Sequence, residues 1–97
     1  MPHYSYESAF MAEYNRLTSA QQQMFMAAVQ QYIIGPLSNG QRPPAHLVKN
    51  MSGYNLYEFR WDSSGRLRAT CEMFVYPVGE MEVRWRRIGD HSIYQNP

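Results

Sequence analysis

Ninety-seven residues, 44% of them hydrophobic and 18% charged, suffice for one hydrophobic core and fall short of two, so a single domain over 1–97 with no appended module is expected. A formal net charge of +1 argues against a generic polyanion binder, because non-specific nucleic-acid affinity comes mostly from summed phosphate neutralisation. The one cysteine, Cys71, excludes an internal disulfide and fits a reducing compartment.

The opening residues MPHYSYESAF lack the basic and apolar regions of a secretory signal, and no apolar run approaches membrane-spanning length. A soluble, cytoplasmic protein without membrane contact is expected. His3 to Tyr6 read as a short strand with Tyr4 and Tyr6 on one face. From Ser8 the period changes: Phe10, Tyr14 and Leu17 have helical spacing. Thr18 and Ser19 interrupt, and either can cap a second helix, since Gln21 and Gln22 follow them by three residues as a capping box requires. That helix is expected to run to about Ile34, with Phe25, Ala28, Val29, Tyr32 and Ile33 in one stripe and Gly35-Pro36 as the stop. Met24, Phe25 and Met26 are assigned to the core, and residues 35–45 to a loop.

Beyond the loop the pattern is β. His46 to Met51 form a short strand and Ser52-Gly53 a turn. Leu56 to Trp61 alternate, with Tyr57, Phe59 and Trp61 on one side and Glu58 and Arg60 on the other. Asp62-Ser63-Ser64-Gly65 is a hairpin connection to a strand over Arg66 to Tyr76, with Leu67, Ala69, Cys71, Met73 and Val75 inward and Arg66, Arg68, Thr70 and Glu72 outward. Pro77-Val78-Gly79 turns into a last strand with Met81, Val83 and Trp85 inward and Glu82, Arg84 and Arg86 outward. Two helices joined by so short a break form a hairpin that needs the apolar face of this sheet to cover it.

The outer face is the chemically interesting one. Residues 46–97 hold seven of the nine basic residues and six of the eight acids, so any anion site there is a local constellation. Arg84, Arg86 and Arg87 lead into Gly89, Asp90, His91 and Tyr94. Guanidinium groups pair with phosphate through a planar fork of donors, and histidine exchanges protons near neutrality. His3, His46, Cys71 and His91 lack metal-ligand spacing, the glycines are scattered turn residues rather than a phosphate loop, and Cys71 on an inward strand face reads as core rather than nucleophile.

Four segments in this order, Leu47 to Gly53, Leu56-Tyr57-Glu58-Phe59-Arg60-Trp61, Gly65-Arg66-Leu67-Arg68-Ala69, and Arg87-Ile88-Gly89-Asp90-His91-Ser92-Ile93-Tyr94, resemble the RelE/ParE superfamily of toxins from type II toxin–antitoxin systems, in particular its RelE-like mRNA endonuclease branch. The resemblance implies an α+β, RelE-like microbial RNase fold, β-α-α-β-β-β, with a helix hairpin on one face of a mainly antiparallel sheet. It implies ribosome-dependent, metal-independent cleavage of A-site mRNA by 2′-hydroxyl attack, and so translation inhibition, with no cofactor. Arg68 would stabilise the phosphate in the transition state, with Arg60 assisting. His91 would act as general acid or base, Tyr94 would stack on or orient a nucleotide, and Glu58 is a further candidate for base or for positioning His91. Lys49, Arg66, Arg84, Arg86 and Arg87 would contact substrate. The implied partners are a cognate antitoxin and the ribosome, with DNA reached only through the antitoxin complex. Glu58 stands where some branches carry lysine, which leaves the acid and base roles open. A ParE-like gyrase inhibitor, or a non-catalytic interaction domain, keeps the same fold.

Overall fold

The computed structural model describes residues 3–51, 55–62, 65–75, 81–90, 92–93 and 97. The chain begins with β1 (His3–Tyr6) and α1 (Ser8–Tyr14), followed by α2 (Ser19–Val29). Helix α2 continues without a break through one wide π turn (Gln30–Ile34) into α3 (Gly35–Ser38). Four strands follow: β2 (Val48–Asn50), β3 (Leu56–Phe59), β4 (Arg68–Val75) and β5 (Met81–Gly89). The sheet order is β1-β5-β4-β3-β2, with β1 parallel to β5 and every other pair antiparallel. The result is the α+β arrangement expected, with the mainly antiparallel sheet covered on one face by the helices.

Local chemistry explains the helix boundaries. Helix α1 stops at Tyr14, short of Leu17, because Arg16 and Leu17 turn back onto the carbonyls of Glu13 and Tyr14; Gln22 also donates its side-chain amide to the Tyr14 carbonyl at 3.0 Å. Of the two possible caps, Thr18 is used: its hydroxyl accepts from Gln21 N–H at 3.1 Å while the Gln21 side chain accepts from Thr18 N–H at 2.9 Å.

Gly35-Pro36 does not end the second helix. The preceding turn is widened so that Gly35 N–H bonds to the Gln30 carbonyl, and Pro36, which has no N–H to give, sits at the start of the renewed α turn, where none is needed. The stop comes five residues later: Gly40, in the left-handed region at φ 71°, donates to Leu37 O, and Gln41 donates to Pro36 O, the paired bonds of a Schellman motif. Residues 35–38 are therefore helix rather than loop.

Phe25 is the hub of the core. Its ring meets Phe10, Tyr14, Phe59, Trp61 and Trp85 at centroid distances from 5.0 to 6.2 Å, several edge-on. Ala28, Val29, Ile33, Val48, Ala69, Cys71, Val83 and Ile88 complete the buried layer. Met24 and Met26, expected beside Phe25 in the core, are instead 41% and 49% exposed, because they flank Phe25 and the helix turns them off the buried face. Strand β3 ends at Phe59 rather than Trp61, although Trp61 stays buried, and β4 starts at Arg68 rather than Arg66. The turns expected at Ser52-Gly53 and Pro77-Val78-Gly79, and the middle of the one after Asp62, lie outside the described residues.

One irregularity matters for the site. Along β4 and β5, Cys71 pairs with Trp85 but Thr70 pairs with Arg87, so Arg86 is an extra residue on β5. The bulge resets the alternation, which is why Val83, Trp85 and Ile88 are buried rather than Val83, Trp85 and Arg87.

Candidate functional site

Arg60, Arg68 and Glu58 come together on the outer face. Glu58 in β3 lies opposite Thr70 in β4, and Glu58 Oε1 accepts from Arg60 Nε and from Arg68 Nε, each at 3.0 Å. Arg68 also donates through Nη1 to the carbonyls of Gly65 and Leu67. The two guanidiniums differ in access: the Arg68 side chain is 9% exposed and that of Arg60 39%. Arg68 is thus the buried anchor of the cluster and Arg60 its solvent-facing cation. Lys49 is opposite Glu58 in β2 and exposed, which adds a cation at the same edge. Arg66 is exposed just before β4.

The end of β5 is tied to the same place, since Arg68 pairs with Gly89 in the sheet register. Asp90 then closes a short turn, accepting from Ser92 N–H on its side chain at 2.8 Å and from Ile93 N–H on its carbonyl at 3.2 Å. A Cβ on Gly89 would lie 3.3 Å from the buried Ile93 side chain, so glycine keeps this turn close. His91 and Tyr94, the expected proton-transfer and stacking residues, lie outside the described residues.

The remaining arginines do not join this cluster. Arg86 donates through Nη1 to Glu72 at 2.6 Å and through Nε to the main-chain oxygen of Pro97 at 3.0 Å. Arg84 lies towards the other end of β5, with its guanidinium 5.6 Å from the Phe74 ring centroid and near Ser5 and Glu82. Arg87 is turned to α1, where it forms a two-pronged pair with Glu13 at 2.7 and 2.9 Å. That bond pushes the Arg87 pKa above its usual value. Glu13 also accepts from Ile88 N–H at 3.3 Å, so this carboxylate serves the backbone of β5 just past the point where β1 stops pairing with it. Glu13 was invisible as a partner in the sequence, being separated from Arg87 by seventy-four positions. Thr70 was legible only as an outward residue; nothing in the spacing marked its hydroxyl as a donor to Pro97.

Among the described residues no three His, Cys, Asp or Glu side chains gather as metal ligands, and no helix is long and apolar enough to cross a membrane. On the helix side a separate cavity of about 190 Å³ is lined by aromatic and aliphatic side chains that include Tyr4, Phe10, Met11 and Met26. The Tyr4 hydroxyl is buried there with no hydrogen-bond partner among the described residues, and that burial, with Tyr6 adding to it, raises its pKa to about 12.

No protein-family model matches the sequence, and no curated protein matches it either. The structure is similar to a chain in the crystal structure of the intact E. coli RelBE toxin–antitoxin complex, with a TM-score of 0.64 at 14% sequence identity over 93% of this chain and 96% of that one. The fold is RelE-like. On a RelE-like sheet, the Glu58–Arg60–Arg68 cluster occupies the exposed face that the helix hairpin leaves uncovered.

Proposed function

We propose that this chain is the toxin of a type II toxin–antitoxin pair and a metal-independent endoribonuclease that cuts mRNA in the ribosomal A site. The observation that carries this reading is the meeting of two guanidiniums on the Glu58 carboxylate, on the open face of a RelE-like sheet. In the reaction the RNA 2′-hydroxyl attacks the adjacent phosphorus and the bond from phosphorus to the 5′-oxygen breaks, leaving a cyclic phosphate and a free 5′-hydroxyl. One group takes the 2′-proton, another gives a proton to the leaving oxygen, and cations stabilise the charge that builds on the phosphate in between. DNA, without a 2′-hydroxyl, is spared.

Exposure divides the roles among the residues. Arg60 is the guanidinium that reaches a phosphate from the surface, while Arg68 holds Glu58 and lends its charge from beneath. Glu58 and His91 share the two proton transfers, Tyr94 stacks on a nucleotide, and Lys49, Arg66 and Arg86 extend the cationic approach. The partner is a small antitoxin that covers or distorts this face, and the second partner is the translating ribosome.

The burial of Arg68 and its engagement with protein acceptors favour a second reading, in which the same cluster is structural and the chain is a ParE-like gyrase inhibitor or a non-catalytic docking domain. Primer extension on mRNA from translating ribosomes separates the two. The nuclease reading expects cuts within the A-site codon, reduced at least about a hundredfold in Arg60→Ala, Arg68→Ala and His91→Ala. Intact message with the unaltered protein sinks it and leaves the second reading.

A further inference from the structure

Two donors outside the Glu58 cluster converge on a single oxygen. Thr70 Oγ1 and Arg86 Nε each donate to the main-chain oxygen of Pro97 at 3.0 Å. Thr70 is fully buried, yet it lies on the charged side of the sheet, two residues along β4 from Arg68. The β-bulge is what brings Arg86 there. As the extra residue between Trp85 and Arg87, it sits beside Thr70 rather than in the regular ladder. Glu72 takes Nη1 of the same guanidinium at 2.6 Å, which fixes the plane of the fork and leaves the Nε edge for the shared oxygen.

A hydroxyl and a guanidinium aimed at one oxygen form an oxyanion pocket, and here the Pro97 oxygen fills it. Residues two apart on one face of a strand are separated by about 6.6 Å, which is close to one nucleotide step between successive phosphates of a single strand. We propose that Thr70 and Arg86 form a second phosphate subsite, for the nucleotide next to the one held at Arg60 and Arg68, and that Pro97 occupies this subsite until substrate displaces it. The inference rests on the RNA-binding half of the proposed function and does not need cleavage. Glu72 offsets part of the Arg86 charge, so the subsite sets the register of the strand more than it adds affinity.

A tethered oxygen competes at an effective concentration in the millimolar range, so the competition is measurable. The test follows the Thr70 amide and the Arg86 Nε–H by NMR during titration with inorganic phosphate, then with a 2′-O-methyl trinucleotide, in the full chain and in a chain ending at Asn96. The shortened chain is expected to respond to phosphate at about fivefold lower concentration or less, and Thr70→Val and Arg86→Gln are each expected to abolish the response. The trinucleotide should do the same, and replacing its flanking phosphate by an uncharged methylphosphonate should remove the difference between the parent protein and Arg86→Gln. No shift at either group in either chain, or equal midpoints in the two chains, overturns the subsite. Retained dependence on Arg86 with the methylphosphonate assigns the oxygen to base or ribose and overturns its identity as a phosphate site. A protein that binds phosphate here but leaves ribosomal mRNA intact keeps this inference and loses the nuclease.

Discussion

The two faces of one sheet are held by opposite physics. The helix side is a continuous aromatic and aliphatic layer around Phe25, whose ring meets five others. The other side is a row of separate ion pairs, with Glu58 serving Arg60 and Arg68, Glu72 serving Arg86, and Glu82 serving Arg84. Burial stabilises in proportion to apolar area and tolerates no unpaired charge, whereas ion pairs whose guanidinium faces solvent, as those of Arg60, Arg84 and Arg86 do, are each worth only about 0.2–1 kcal/mol. A face assembled from weak, separable pairs can exchange a carboxylate partner for a phosphate without loss of the fold, and that freedom is what a binding surface needs.

The comparison is broken most directly at Phe25. Phe25→Ala is expected to destabilise by about 3–5 kcal/mol, read by chemical denaturation, since it removes the ring on which the others pack. A loss below about 1.5 kcal/mol would show that the layer does not depend on its hub. On the charged face the expectation splits. Glu58→Gln leaves the nearly buried Arg68 without its counter-charge and should cost about 2–3 kcal/mol, while Arg84→Ala, at an exposed position, should cost about 0.5 kcal/mol or less. Equal costs would remove the distinction drawn between anchor and surface cation.

Alkaline pH sharpens the contrast further. Burial, with Glu72 contributing, pushes the Cys71 thiol well above its ordinary value of 9.0. A group whose folded pKa is raised keeps its full stability below the unfolded pKa and loses it as pH climbs above. The unfolding free energy should therefore fall by about 1.4 kcal/mol per unit once pH passes about 9. The Tyr4 hydroxyl adds to the slope between its ordinary 10.0 and about 12. Cys71→Ala is expected to flatten the first part of that slope, measured as denaturation midpoints from pH 8 to pH 10.

Much of this was legible from residue order. Alternation at Leu56 to Trp61 and from Leu67 to Met73 assigned the faces correctly because one face of the sheet is dry, and a dry face enforces the period of two. The capping box at Thr18 was legible because its chemistry is local. What was hidden was set by distant partners or by a change of helical pitch. The π turn absorbs Pro36, which sequence rules read as a terminator. The bulge at Arg86 places two consecutive arginines in different surroundings, one against Glu72 and Pro97 and the other against Glu13. Alternation alone cannot foresee an inserted residue. In the candidate site, Glu58, Arg60 and Arg68 were readable as outward-facing neighbours, but that Arg68 is the buried member follows only from its bonds to the turn carbonyls at Gly65 and Leu67.

The Glu13 carboxylate has a consequence beyond its ion pair. Strand β1 stops pairing at Trp85, and the stretch of β5 beyond it would present an open row of donors and acceptors on which a strand from another molecule could add. Glu13 takes the Ile88 N–H and draws the Arg87 guanidinium to the same edge, so an approaching strand meets a fixed charge pair rather than a free ladder. The same two side chains that tie α1 to the sheet thus oppose strand addition at this stretch of β5.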